Sequence, residues 1–75
     1  MMTIEQALAL TPSGFKLTSF DSRNASAVWA DRNGNEIVKF YEGCFARYNG
    51  EMSQNCDTIN EACAWMEKKK KWWGK

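Results

Sequence analysis

The sequence predicts a small α+β domain in which helices at the two ends flank a three- or four-stranded antiparallel sheet, with the C-terminal helix packed on one sheet face. Two observations support this fold class. Apolar residues recur with helical spacing near both ends, and the stretch between them alternates in polarity and contains two Asn-Gly pairs, which are typical of hairpin turns. At 75 residues the chain can form one domain only, so we expect a single domain over residues 1–75.

The first element is a short helix. Thr3 is a favourable N-cap, and Gln6 stands three residues later, as in the reciprocal capping box. Pro12 cannot continue a helix and disfavours helical backbone in the residue before it. The pattern therefore predicts a helix over residues 3–10.

Four short segments with turn residues between them predict the strands. They cover residues 15–20, 25–30, 36–41 and 44–48, while residues 51–56 carry no assignable pattern.

The central hairpin has two alternative registers. A two-residue turn at Asn33-Gly34 would place Trp29 opposite Val38 and Ala27 opposite Phe40. A five-residue loop would change these pairings, and a slip of one residue moves every side chain to the other face. With the two-residue turn, we expect Trp29, Val38 and Phe40 to face the core. The opposite, more exposed face would carry Val28, Ala30, Ile37, Lys39 and Tyr41.

The last element is a C-terminal helix. Asp57 or Thr58 can cap it, and Glu61 completes a second capping box. The helix presents one apolar stripe to the sheet, formed by Ile59, Ala62, Cys63 and Met66.

Charge is distributed unevenly along the chain. Residues 1–67 hold five basic and nine acidic residues, a net charge of −4, whereas residues 68–75 hold the other five basic residues. The long-range field of a protein influences which large partners approach it. We therefore expect an acidic body and a separate basic, Trp-rich C-terminal end, residues 68–75, to meet different partners.

Features that indicate catalysis are missing from the sequence. The chain has no histidine, no Gly-x-Ser-x-Gly motif and no glycine-rich phosphate loop. Three cysteines without a Cys-x-x-Cys pair do not make a zinc motif. We expect no enzymatic activity, no catalytic residue, no cofactor and no metal site.

The N-terminal residues do not resemble a signal peptide, and no apolar run is long enough to span a membrane. An odd number of cysteines fits reduced thiols, which favours a cytoplasmic location. Pairing of Cys56 with Cys63 across two helical turns remains an alternative.

The function that these observations favour is a non-catalytic protein-binding module. Its acidic, aromatic body would dock on a basic, nucleic-acid-handling surface of a larger protein, because charge complementarity speeds encounter and an aromatic side chain anchors the contact. The predicted partner-binding residues are Asp31, Glu36, Tyr41 and Glu42.

In size and charge the chain resembles the small inhibitors that phages and mobile elements encode, including anti-CRISPR proteins. That resemblance implies an inhibitor acting in the host cytoplasm. A second copy of the chain is an alternative partner, because a dimer could complete a small core.

Nucleic-acid binding is the alternative function. Lysine neutralises phosphates and tryptophan stacks on bases, so the candidate residues are Lys68, Lys69, Lys70, Lys71, Trp72 and Trp73. The order helix, three strands, helix also resembles the double-stranded-RNA-binding domain. That family has a lysine cluster at the start of its second helix, where this chain has the acidic or neutral residues 57–61. We therefore expect weak nucleic-acid binding or none.

Overall fold

A sheet of five antiparallel strands forms the centre of the structure, a computed structural model that describes residues 2–73, with side chains through residue 71. The α+β class and the C-terminal helix packed on the sheet are as the sequence predicts. The strands lie side by side in chain order. In chain order the elements are α1 (Ile4–Ala9), β1 (Phe15–Asp21), β2 (Ser26–Asp31), β3 (Glu36–Phe40), β4 (Gly43–Tyr48), β5 (Glu51–Met52) and α2 (Ile59–Trp73).

Helix α1 begins with the predicted capping box. The Gln6 amide donates to Thr3 Oγ1 at 3.1 Å, and the Thr3 amide donates to Gln6 Oε1 at 2.9 Å. These two bonds satisfy amides that a helix start leaves without partners. Only Ala7 of the helix is buried, so α1 covers the sheet with a narrow face.

The register of the central hairpin differs from the one that Asn33-Gly34 alone predicts. Trp29 lies opposite Ile37 and Ala27 opposite Lys39, because five residues, 31–35, lie between the last cross-strand pair, Ala30 and Glu36. The prediction that Val38 and Phe40 share the core face of Trp29 is therefore wrong. The shift by one residue moves Ile37 into the core and turns Val38 and Phe40 to the other face.

Both helices pack on the face of the sheet that carries Trp29. The Trp29 indole N–H donates to the Ala7 carbonyl of α1 at 3.2 Å, which gives a partner to one of the carbonyls that a helix end leaves free. Trp29 and Ile37 have no exposed surface. The buried core contains Met2 together with residues from α1, from three strands and from α2, namely Ala7, Ala27, Trp29, Ile37, Cys44, Ala46, Ala62 and Met66.

Helix α2 follows a second tight turn and a loop. Asn49 and Gly50 adopt positive φ angles of 52° and 83°, as the second Asn-Gly pair predicts for a hairpin turn. Thr58 Oγ1 accepts the Glu61 amide at 3.2 Å, which makes Thr58 the cap of α2. The stripe predicted for α2 faces the core, with Ala62 and Met66 buried and Ile59 and Cys63 half-buried. The side chains of Trp72 and Trp73, and Gly74 as a helix stop, lie outside the described residues.

The register makes a direct prediction for stability. Ile37→Ala should lower the free energy of unfolding by about 2–5 kcal/mol, because it leaves a cavity in the core. Val38→Ala should lower it by less than about 1.5 kcal/mol, because Val38 lies on the partly exposed face. Urea denaturation of the two variants measures both values. A larger loss for Val38→Ala than for Ile37→Ala would contradict the observed register.

Candidate functional site

The four predicted partner-binding residues lie at opposite ends of β3. Asp31 and Glu36 flank the loop 32–35, whereas Tyr41 and Glu42 follow the other end of the strand. The five residues of β3 separate the two groups by roughly 16 Å at about 3.3 Å per residue. The structure therefore does not bring the four side chains together into one site.

The Asp31 carboxylate holds the hairpin loop together. Its Oδ1 accepts the amides of Asn33 and Asn35, both at 2.9 Å, and its Oδ2 accepts the Asn35 side-chain amide at 3.1 Å. Asn35 is itself buried, and its Oδ1 accepts the Asn49 amide of the next hairpin turn at 3.3 Å. Asp31 therefore has a structural role, which is to hold the loop of the β2–β3 hairpin in shape.

Glu36 forms an ion pair with Arg47. The two side chains lie opposite each other on β3 and β4, and Arg47 Nη1 donates to Glu36 Oε1 at 3.1 Å. Both remain substantially exposed, so the pair contributes less than about 1 kcal/mol. The main effect of the ion pair is that the Glu36 carboxylate already has a partner within the chain.

Tyr41 is the most exposed large apolar side chain in the described part of the chain, at 82%. It stands between two open clefts at the end of the sheet where the β1–β2 and β3–β4 turns meet, here called the Tyr41 end. The first cleft has a volume of about 550 Å³ and is lined by Met2, Gln6, Ala9, Leu10, Ala25, Lys39 and Tyr41. The second has a volume of about 410 Å³ and is lined by Arg23, Asn24, Ser26, Phe40, Tyr41 and Glu42.

Sequence reasoning missed an apolar surface on the side of the sheet away from the helices, here called the open face. Its members alternate with the core residues of β2, β3 and β4, and none of them belongs to the core or packs against it. The Phe40 and Phe45 rings lie 6.0 Å apart at an interplanar angle of 55°. The apolar members of the open face are Val28, Ala30, Val38, Phe40 and Phe45, all half-buried. The same face carries the polar residues Lys16, Ser19, Glu36 and Arg47 around them.

The open face and the Tyr41 end form one continuous surface, because Phe40 belongs to the open face and also lines the second cleft beside Tyr41. Of the predicted partner-binding residues, Tyr41 and Glu42 adjoin this surface at one end, and Glu36 adjoins it at the other, where it lies opposite Ala30. Had the register been known, the alternation of side chains along β2 and β3 would have predicted the open face.

The lysines of α2 lie at the opposite end of the molecule. Helix α2 starts beside Lys39 and Leu10, near the Tyr41 end, and Lys69 reaches Glu51 on β5. Lys69 Nζ lies 3.1 Å from Glu51 Oε1 and 5.4 Å from the centroid of the Trp65 ring. Lys70 Nζ lies 3.5 Å from Glu67 Oε2. Two of the four lysines thus already have carboxylate partners.

Comparison with protein-family models, with curated proteins and with solved structures gives no match. Within residues 2–73, neither helix combines the length and the apolar character that a bilayer crossing requires.

The role assigned to Asp31 predicts the effect of removing its carboxylate. Asp31→Ala should lower the free energy of unfolding by about 1–3 kcal/mol, because the amides of the loop and the buried Asn35 lose their acceptor. Glu36→Ala serves as the control and should change it by less than about 1 kcal/mol. Thermal and urea unfolding measure both. An Asp31→Ala protein as stable as the unmodified chain would show that the carboxylate is free for another role.

Proposed function

We propose that this chain is a non-catalytic protein-binding module that contacts a larger protein through the open face and the Tyr41 end. The observation that supports the proposal best is the placement of both helices on one side of the sheet. The other side carries the half-buried apolar residues of the open face next to an aromatic side chain, Tyr41, that is 82% exposed. Tyrosine is enriched among the residues that dominate binding energy at interfaces.

Charge near the Tyr41 end suggests a basic partner. Glu42 lines the second cleft, Asp21 accepts hydrogen bonds from Arg23 and Asn24 beside that cleft, and Asp57 precedes the start of α2, which adjoins Lys39. None of these three carboxylates forms an ion pair with a described side chain. Arg23 and Lys39 offset part of this charge. The lysines of α2 lie at the other end, where they do not weaken attraction of a basic partner.

The specific form of the proposal is an inhibitor. A basic surface on a larger protein is often one that handles nucleic acid, because neutralising phosphates requires lysine and arginine. A small acidic module that covers such a surface would block access of the nucleic acid. We therefore propose an inhibitor of the kind that phages and mobile elements encode, similar in action to anti-CRISPR proteins.

Site-specific cross-linking in the source cell tests the proposal. p-Benzoylphenylalanine in place of Tyr41 should cross-link one larger protein, whereas the same residue in place of Leu8 should not. Leu8 is a matched control because its side chain is 56% exposed on α1 and lines neither cleft. Equal products at both positions would contradict the proposed surface. A product consisting of two copies of this chain would identify a homodimer instead.

Once the partner is known, Tyr41→Ala should weaken its binding about tenfold or more, since an aromatic anchor contributes on the order of 1–2 kcal/mol or more. The variant should unfold within about 0.5 kcal/mol of the unmodified chain, because Tyr41 is mostly exposed. Isothermal titration calorimetry measures the affinity, and Leu8→Ala is the control. Unchanged affinity of Tyr41→Ala would exclude Tyr41 as the anchor.

The nucleic-acid alternative makes a different prediction. Because Lys69 and Lys70 already pair with Glu51 and Glu67, we expect the dissociation constant for a single-stranded oligonucleotide to exceed about 1 μM at about 0.15 M salt. Fluorescence anisotropy measures it. Submicromolar binding that the double variant Lys68→Glu/Lys71→Glu abolishes would favour the alternative over protein binding.

A further inference from the structure

Cys44 and Cys56 are paired across two adjacent backbone segments. The Cys44 amide donates to the Cys56 carbonyl at 3.0 Å, and the Cys56 amide donates to the Cys44 carbonyl at 2.6 Å. Two residues that exchange both hydrogen bonds in this way have Cα atoms about 5.5 Å apart and side chains on the same face. This separation falls within the range of about 4.4–6.8 Å that a disulfide spans.

Several contacts hold the two segments together. The Ser53 amide donates to the Ala46 carbonyl at 2.8 Å, and the Ala46 amide donates to Ser53 Oγ at 2.9 Å. Gly43 allows a close approach, because a Cβ atom built there would lie 2.8 Å from the Cys56 carbonyl oxygen. Cys44 Sγ already lies 3.6 Å from that oxygen. Hydrogen bonds between the two backbone segments and their close approach at Gly43 therefore keep Cys44 and Cys56 next to each other.

The two thiols differ in access. Cys44 is 1% exposed, and burial raises its pKa above the usual range, with the nearby Cys56 adding to the rise. Cys56 is partly exposed and contacts the Gln54 carbonyl through its sulfur at 3.4 Å. A dissolved reagent reaches Cys56 first, and Cys44 is in place to react with the product.

We propose that Cys44 and Cys56 form a reversible dithiol–disulfide modification site, which takes a low-molecular-weight disulfide such as oxidised glutathione as its oxidant. The Cys56 thiolate attacks one glutathione sulfur, forms a mixed disulfide and releases one glutathione thiolate. The Cys44 thiolate then attacks Cys56 Sγ, forms the Cys44–Cys56 disulfide and releases the second glutathione. The protein loses two protons and two electrons, and the oxidised glutathione is reduced to two molecules of the thiol.

The disulfide would close a covalent loop that contains the β4–β5 hairpin, and it would fix the segment that leads into α2 against β4. A cross-link over a loop of this size restricts the unfolded chain and stabilises the folded state. Oxidation should therefore raise the melting temperature by on the order of 10 °C. The modification does not depend on the proposed partner or on Tyr41.

The test uses folded Cys63→Ser protein, in which Cys44 and Cys56 are the only thiols. Half-buried Cys63 has a raised pKa, caused first by burial and then by Glu67. After incubation with oxidised glutathione, the intact mass should fall by two hydrogens. Trypsin cuts after Lys39, Arg47 and Lys68, so the disulfide should link peptides 40–47 and 48–68. Dithiothreitol should separate the peptides and reverse the rise in melting temperature.

Cys56→Ser in the Cys63→Ser background is the matched control. It retains Cys44 alone and should show neither the mass loss nor the rise in melting temperature. Circular dichroism establishes that both variants are folded before oxidation. Folded Cys63→Ser protein that yields only glutathione adducts, or thiols that iodoacetamide still alkylates, would overturn the proposal.

Discussion

The rest of the structure depends on the register of the β2–β3 hairpin, which the Asp31 carboxylate and backbone hydrogen bonds within residues 31–35 hold in place. By accepting hydrogen bonds from the amides of Asn33 and Asn35 and from the Asn35 side chain, Asp31 stabilises the five residues, 31–35, between the last β2–β3 pair, Ala30 and Glu36. Because side chains alternate along a strand, the length of this connection decides which residues of β3 enter the core. It places Ile37 against Trp29, and the Trp29 indole in turn anchors α1 through the Ala7 carbonyl.

The same register creates the surface to which we assign function. With Ile37 inside, Val38 and Phe40 face away from both helices and join Val28 and Phe45 in the open face. A sheet covered on one side only is common in antiparallel folds, but its second side usually carries polar residues. Here the second side carries polar residues such as Glu36 and Arg47 at its margin, but the cross-strand row Val28, Val38 and Phe45 is apolar and Tyr41 is exposed at its end. Such a row favours a surface that another molecule covers.

The parts of the fold that could be predicted from the sequence are those fixed by near neighbours. The Thr3 and Gln6 capping box, the Thr58 cap and the Asn49-Gly50 turn each involve residues within four positions. The hairpin register could not be predicted, because Asn33-Gly34 fits a two-residue turn as well as part of a longer loop. The hydrogen bonds of Asp31 and the bond from the Asn49 amide to Asn35 Oδ1 favour the longer loop. The second of these joins two different hairpins, so the local sequence does not reveal it.

The candidate site was predictable only in part for the same reason. Charge and aromatic content singled out Asp31, Glu36, Tyr41 and Glu42, but the sequence did not show that Asp31 is used by the loop and Glu36 by Arg47. The pairing of Lys69 with Glu51 also depends on how α2 lies across the sheet. Contacts between residues far apart in the sequence therefore decide which charged side chains are used within the fold and which stay exposed.

Nuclear Overhauser spectroscopy of the free protein tests most directly whether the hairpin register leaves the open face uncovered. We predict a strong contact between the Hα protons of Val28 and Val38, which lie directly opposite each other. Rapid broadening of the Val38 and Phe45 side-chain signals by a soluble paramagnetic agent should accompany it. Cross-strand contacts that pair Trp29 with Val38, or full protection of Val38 and Phe45 from the agent, would contradict the account.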